Sequence, residues 1–503
     1  MTTYLRILAI ALICSLPNPT NAQTLPFSKI RISIAPDVRS TFTTGGRLFL
    51  HLSTTKEREP RLRPEVSVSI TAHHWDAGEA FVMDHKDKFL RSRSLDKWVP
   101  GRVYYYQVVY KQNIDDGQEN VAGNIFSEMD SLVFTNKTKL DISITKHIVQ
   151  EEVIKHPFVK TVSIKSEALT RFSGKNRFLK ASILLPSGYF DHPERSFPIC
   201  YRAPGLNGRY TAINGLMRDS TFTAWWFSKT APQVIYVFLD SQGPYGDTYQ
   251  VDSENNGPCG KALTEELIPE IEKLVHYNPN SKTRFVAGPS TGGWISLGLQ
   301  IFYPDFFDGA WSYSPDPVEF EHFGLINIYQ DSTIFYNKYG YLQPGRRTIY
   351  GEPTRSMKDW IDSENFASRT NNYLISGGQF GAYNAVFGPK GKDGLPSLMF
   401  DPETGKIDHE IARQWEKYDL LKILKNNWTT LGPKLQGKIW IWTGDMDGLY
   451  SNVATRFLKA FLDKTENPSS DAKITFTPMA GHTQEWSDKA VLMMVSEKAK
   501  AKL

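Results

Sequence analysis

The chain has 503 residues, 40% of them hydrophobic and 22% charged, with a formal net charge of +4. That composition supplies a large apolar core and excludes disorder as the default state. A charge so close to balance also excludes the basic field that nucleic-acid binding needs, so no nucleic-acid partner is expected.

Taken from the beginning, residues 1–22 predict a cleaved secretory signal. Arg6 supplies the positive start, and residues 7–16 form an apolar run shorter than the ~20 residues a membrane span requires. Thr20-Asn21-Ala22 then offers a small-residue cleavage site before Gln23. The protein is therefore expected to be exported, to the periplasm or beyond, without stable membrane insertion. Cys14 is not read as a lipidation site, because the preceding Ile13 is large. Cleavage leaves Cys200 and Cys259. Export permits a disulfide between them, and a pair of buried free thiols is the even alternative.

Residues 23–155 predict an all-β sandwich. Segments 30–34 and 66–70 alternate apolar and polar residues, while 47–52 and 103–110 are rich in strand formers. Gly45-Gly46 and Asp115-Asp116-Gly117 mark turns between such runs. The pair His73-His74 offers too few ligands for a metal site.

From residue 156 to the end the texture changes to alternating strand and helix, which predicts an α/β fold on a mostly parallel sheet with flanking helices. Strands are expected at 160–165, 178–185, 197–202, 234–239, 284–287, 309–314, 439–443 and 474–477. An amphipathic helix is expected over 261–275, disturbed by Pro269. Residues 320–410 break the rhythm with many Gly, Pro, Tyr and Asn, and are read as an insertion over the functional face. Its aromatics Tyr329, Phe335, Tyr336, Tyr339 and Tyr341, together with Tyr245 and Trp294, are candidates to line a substrate.

The decisive segment is Gly288-Pro289-Ser290-Thr291-Gly292, a G-x-S-x-G match between a predicted strand and a predicted helix. In that context the serine sits on a tight turn at a helix N-terminus, exposed and favourably placed for developing negative charge. Ser290 is the expected nucleophile. A serine needs a base, and the chain order of this fold class, Ser then acid then His, restricts the base to His322, His409 or His482. His482 follows the last predicted strand and is preferred. The acid should follow the strand before it, where Gly444-Asp445-Met446-Asp447 offers Asp447, with Asp445 and Asp316 as rivals. The expected oxyanion donors are the N–H of Thr291 and, from the loop 203–209, that of Leu206, with Asn207 next.

Together with several further segments, these residues make the chain similar to the esterase D-like group of α/β hydrolases, which includes feruloyl and acetyl-xylan esterases and mycolyltransferases. The resemblance covers about residues 160–490. It rests on 178–186, on Asp252-Ser253-Glu254-Asn255-Asn256-Gly257-Pro258 and the following 263–269, on 288–294, on Tyr303-Pro304-Asp305-Phe306-Phe307, and on 444–450. It implies a Ser–Asp–His triad, no cofactor and no metal, and hydrolysis of a carboxylic ester through an acyl-enzyme. An acylated small molecule or carbohydrate, such as an acetyl or feruloyl ester, is the implied substrate. An α/β hydrolase preceded by a β-sandwich is an arrangement known in such proteins. Pro204-Gly205 stands where relatives often carry His-Gly, which leaves the oxyanion donors open. The competing readings are an acyltransferase using the same triad, a carbohydrate-binding protein with a degenerate hydrolase domain, and a peptidase on the same fold.

Overall fold

The computed structural model describes residues 25–191, 194–279 and 282–501. The expected signal segment lies outside the described residues. Among those described, no helix is long and apolar enough to cross a membrane.

Nine strands occupy the first part of the chain: β1 (Lys29–Ile34), β2 (Arg47–Ser53), β3 (Val66–Thr71), β4 (Phe81–Asp84), β5 (Arg91–Arg93), β6 (Val103–Lys111), β7 (Ile125–Ser127), β8 (Asp130–Val133) and β9 (Lys139–His147). They form one hydrogen-bonded sheet in the order β4-β1-β9-β7-β6-β2-β3-β5, with β8 also on β6. All pairs are antiparallel except β1 with β9. The sequence pattern predicts two stacked sheets, whereas the ladder here is continuous. The reason is β6, which pairs with β2 along one edge and with β7 on the other, where β8 pairs with its first half.

Period-two alternation puts Ile30, Ile32 and Ile34 of β1 in the same core as Leu48, Leu50 and Leu52 of β2 and Tyr104, Tyr106 and Val108 of β6. The two ends of the sheet therefore close over one apolar filling. Unusually for a sheet with one core face, β2 and β3 are buried throughout. Their other face meets the later chain. Phe49, Val109 and Phe126 pack with Phe366, Ser69 Oγ donates to Phe366 O, and Thr71 Oγ1 donates to Arg369 O.

The second sheet has eight strands: β10 (Val159–Lys165), β11 (Phe178–Leu184), β12 (Ile199–Arg202), β13 (Ile235–Leu239), β14 (Arg284–Pro289), β15 (Ala310–Tyr313), β16 (Ile439–Gly444) and β17 (Lys473–Thr477). Their order is β10-β11-β13-β12-β14-β15-β16-β17. The pairs β10/β11 and β11/β13 are antiparallel and the rest parallel. Apolar side chains fill both faces, as a parallel sheet covered by helices demands. This is the α/β-hydrolase arrangement, and every expected strand is present.

The helices that bear on the site are α1 (Thr291–Phe302), α2 (Met357–Ala367), α3 (Gln379–Phe387) and α4 (Ser451–Leu462). The helix expected over 261–275 is interrupted. It runs as α-helix over Cys259–Ala262, as π-helix over Leu263–Leu267 and as α-helix again over Ile268–Leu274. Pro269 thus falls in the first turn of the last segment, where its missing N–H costs nothing and the widened π turn precedes its ring. Cys200 and Cys259 are buried free thiols, so the disulfide alternative is not adopted.

Candidate active site

Ser290 sits between β14 and α1 with φ 57° and ψ −123°. A side chain in the positive-φ region is strained, and the surroundings hold it there. Ser290 N–H donates to Tyr313 O at 2.8 Å, and Gly293 N–H donates back to Ser290 O at 2.7 Å. Glycine is required on both sides. A Cβ on Gly288 would lie 2.6 Å from Ala203 O, and one on Gly292 would lie 2.7 Å from Pro204 O. The loop after β12 therefore presses directly on the elbow.

His482 lies beyond β17. Its Nε2 is 2.9 Å from Ser290 Oγ and its Nδ1 is 2.7 Å from Asp447 Oδ2. Thr483 N–H donates to Ser314 Oγ, tying the histidine loop to the end of β15. Gly444 closes the other side, because a Cβ there would run into the carbonyls of Ala480 and Gly481. Burial disfavours the charged imidazole, but the Asp447 charge and hydrogen bond, with Asp316 behind them, outweigh it. His482 is held above its ordinary pKa.

Asp447 is fully buried. Its Oδ1 accepts from the N–H groups of Leu449 at 2.8 Å and Ser451 at 3.4 Å, the latter opening α4. The rival carboxylates go elsewhere. Asp445 pairs with Arg456 at the surface. Asp316 Oδ2 accepts from Tyr249 Oη at 2.6 Å, Thr291 Oγ1 at 2.8 Å and Gln379 Nε2 at 2.9 Å. The rival histidines are also engaged: His322 with Glu319 and stacked on Phe457, His409 with Asp331 O. An imidazole bridging a hydroxyl and a buried carboxylate in this way can draw the hydroxyl proton as oxygen becomes nucleophilic.

Leu206 lies in the turn Gly205–Gly208, closed by Gly208 N–H to Gly205 O at 2.8 Å. Asn207 there has φ 63°, and its Oδ1 accepts from Gln118 Nε2 of the first sheet's β6–β7 loop at 2.5 Å. Thr291 is fully buried in the first turn of α1, where backbone N–H groups lack intrahelical partners.

Beside the triad lies an apolar cleft walled by Phe323, Leu325, Met357, Trp360, Phe380 and Tyr383, and also lined by Asp316, Gln379 and Ser451, of which Asp316 accepts from Thr291 and Ser451 donates to Asp447. The insertion supplies most of this wall, but through residues other than those expected. Trp294 and Phe335 are buried in the core, and Tyr336, Tyr339 and Tyr341 are exposed on the insertion surface. Tyr245 and Tyr329 pack against the core from its edge. Trp294 faces inward because α1 is buried along almost its whole length, leaving no lining face.

Three positioning residues were not visible in the sequence. Arg347 donates to Asp447 O at 3.0 Å and to Asp445 O at 3.2 Å, clamping the acid turn. Gln379 and Tyr249 complete the Asp316 cluster beneath Thr291. Only Asp316 carried a signal, its place after a sheet strand; nothing in the local sequence marks the other three. Among the described residues no group of His, Cys, Asp and Glu has the makings of a metal centre.

A family model described as putative esterase matches residues 174–477. None of the curated proteins matches the chain. Among solved structures it is similar to a ferulic acid esterase, at 13% identity and TM-score 0.43 over 69% of this chain and 98% of that one. It is also similar to an S-formylglutathione hydrolase from Agrobacterium tumefaciens, at 12% identity and TM-score 0.36 over 69% and 96%. A third is a ferulic acid esterase from Anaeromyces mucronatus, at 13% identity and TM-score 0.33 over 70% and 93%. The family match spans more than half of the sequence, so the chain belongs to the putative esterase family and is a carboxylic ester hydrolase of the α/β type.

Proposed function

We propose that the protein is a serine esterase that works through an acyl-enzyme on acylated carbohydrate. The observation that carries the reading is the unbroken chain of hydrogen bonds from Ser290 Oγ through His482 to Asp447.

In the mechanism, Ser290 Oγ attacks the ester carbonyl while His482 Nε2 takes its proton. Asp447 keeps the Nδ1–H tautomer and stabilises the imidazolium. The tetrahedral oxyanion is met by the N–H groups of Thr291 and Leu206. His482 returns the proton to the leaving alkoxide, the alcohol departs, and the acyl group stays on Ser290. Water, deprotonated by the same imidazole, then releases the acid. The acyl group lies in the apolar cleft, whose wall of aromatic and aliphatic side chains suits a hydrophobic acyl group.

Residues 1–22 serve as a secretory signal and the protein is exported. Residues 23–155 form a separate β domain and 156–503 the catalytic domain, with the insertion at about 320–410. Intact mass of the exported protein should match a chain that begins at Gln23, as free glutamine or as its cyclised pyroglutamyl form, and a mass that retains residues 1–22 would refute cleavage.

The test of the catalytic reading is labelling with a fluorophosphonate, read by intact mass and peptide mapping. A single adduct on Ser290, absent in His482→Ala, is expected. Folded wild-type protein that takes no label would sink the reading and favour a binding function.

A further inference from the structure

The nucleophile strand β14 has a pocket on each flank. The apolar cleft lies toward β15 and β16, bounded by Asp316 and Tyr450. A cavity of ≈ 390 Å³ lies on the other side, toward β13 and β11. Its wall includes Asp240 and Gln242 after β13, Phe178 and Lys180 of β11, and the loop of the first sheet that carries Asp115 and Asp116. None of Ser290, Asp447 and His482 lines either pocket, but the cleft is bounded by Ser451, whose N–H faces Asp447, whereas among the described residues none of this cavity hydrogen-bonds the triad.

All but one of the charges in this wall are paired, the exception being Lys180, whose ammonium lies over the Tyr210 ring. Asp115 pairs with Lys175 and Arg177, and Arg209 pairs with both Asp116 at 2.5 Å and Asp240 at 3.0 Å. A wall so nearly neutralised offers a ligand a single ammonium and no carboxylate without a partner. What it does have is hydrogen-bonding capacity left over. Gln242 Oε1, Gln250 Oε1, Asn255 Oδ1 and both amide atoms of Asn256 have no partner within the protein. Gln250, Asn255 and Asn256 are all more than nine-tenths buried, at 4%, 7% and 9% exposure. Buried amides are ordinarily paired, and each unmade bond costs about 1–3 kcal/mol, so five such atoms buried just behind this wall point to a polar ligand.

The amides are also partly fixed in orientation. Asn255 Nδ2 is held by Ala385 O and Gly388 O, and Gln250 Nε2 by Asp240 O, which leaves their oxygens as acceptors for hydroxyl groups. Asn256 offers both a donor and an acceptor. Phe172 and Phe178 add half-exposed aromatic surface to the same wall, at 43% and 56%. A neutral ligand with a rim of hydroxyls and an apolar C–H face matches this combination.

We propose that the cavity is a second, non-catalytic site that binds a neutral saccharide unit. Strands in a sheet lie about 4.8 Å apart, so β13, two strands from β14, puts the site on the order of 10 Å along the sheet edge from the nucleophile. Arg209 in its wall is three residues beyond Leu206, so a glycan bound there runs beside the proposed oxyanion loop. That link to catalysis rests on the acylated-carbohydrate reading; the binding itself does not.

The experiment is calorimetric titration of full-length Ser290→Ala protein with unacylated xylohexaose, cellohexaose and mannohexaose. Saturable binding of at least one is expected, weakened about tenfold or more by Asn256→Leu and by Phe172→Ala. With Ser290 intact, neither substitution should alter kcat for p-nitrophenyl acetate, which is too small to reach the cavity. Phe172 is half-exposed, so its variant stays informative if Asn256→Leu fails to fold. No binding of any of the three up to about 10 mM, or binding indifferent to both substitutions, overturns the site. Saccharide binding by a protein that never hydrolyses p-nitrophenyl acetate would refute the catalytic reading and leave this one standing.

Discussion

Replacing Asp447 by asparagine tests the triad with the least disturbance to its surroundings. The side chain is buried and its two oxygens do different work: Oδ1 accepts from two backbone N–H groups, and Oδ2 faces His482 Nδ1 at 2.7 Å. The substituted amide has one oxygen, and only an oxygen can stay opposite the N–H groups of Leu449 and Ser451. Its NH2 must therefore face Nδ1, which makes Nδ1 an acceptor and moves the imidazole proton to Nε2. The ring then points a donor at Ser290 and cannot take its proton. Loss of the productive tautomer, together with loss of the charge that stabilises imidazolium, costs about 10⁴ in kcat, or about 5 kcal/mol. Every buried hydrogen bond keeps a partner, so the melting point should move little. The assay is kcat and KM on a p-nitrophenyl ester, with thermal unfolding of the same preparation. A folded Asp447→Asn enzyme within tenfold of wild type, or an equal loss in Asp445→Asn, would refute the assignment.

Activity needs neutral His482, whose pKa is raised, so the acid limb of kcat/KM should have its midpoint above the ordinary imidazole value of 6.5. Asp316 contributes to that rise, so Asp316→Asn should move the limb to lower pH; an unmoved limb would show that the buried carboxyl carries no charge. Lys111 is fully buried, and burial, opposed by Glu119, lowers its pKa from 10.5 to about 8. Between those pH values the folded chain holds neutral Lys111 while the unfolded chain holds a charged one. Stability should therefore rise from pH 8 to 10.5 by about 3 kcal/mol from this group, with no further contribution to the slope below 8, where both states are protonated. Urea melts of Lys111→Met at the two ends of that window should lack this increment relative to wild type, and an identical pH slope would contradict it. Burial pushes the thiol pKa values of Cys200 and Cys259 up, so both should resist a thiol reagent in native protein and react in denaturant; fast native reaction of either would refute their placement.

The second sheet was legible because each of its strands is a short apolar run, and because a nucleophile elbow needs glycines that no other residue can replace. Gly288 and Gly292 are obligatory through backbone contact, which is why the motif shows so plainly. Chain order singled out His482 and Asp447 as candidates, and they are the pair that lies in line with Ser290, since each loop at the C-terminal end of the sheet brings one residue to that edge. The cleft was not legible. Its lining comes from Phe323, Trp360, Phe380 and Tyr383, and nothing distinguishes these from core aromatics such as Trp294 until the insertion is folded. Arg347 acts on Asp447 from 100 positions away, a separation at which local pattern carries no information. In the first sheet, alternation located β1 and β3, and strand-forming residues located β2 and β6. Neither could reveal that β6 changes partners midway or that β1 and β9 run parallel, because pairing is set by topology rather than by period.

The contacts between the two sheets bear on the proposed catalytic geometry. A tethered β domain would touch its enzyme through a few exposed side chains, but here the approach is backbone against backbone. A Cβ on Gly117 would lie 2.7 Å from Gly377 Cα and 2.8 Å from Gly246 N. The neighbouring Gln118 donates to Asn207 Oδ1 in the loop after β12 and to Gly377 O two residues before Gln379. Lys111 Nζ donates to Ser376 O at 3.0 Å, and Arg47 to Asn371 Oδ1 at 2.6 Å. One loop of the first sheet thus holds both the segment proposed to supply an oxyanion donor and the segment that aims Gln379 at Asp316 and Thr291. The buried cations Arg47 and Lys111 are tolerated there only because the insertion offers them carbonyls and amides in return. The β-rich part is therefore best understood as a brace, fixing the loop after β12 through Asn207 and the segment before Gln379 through Gly377 rather than merely carrying the enzyme.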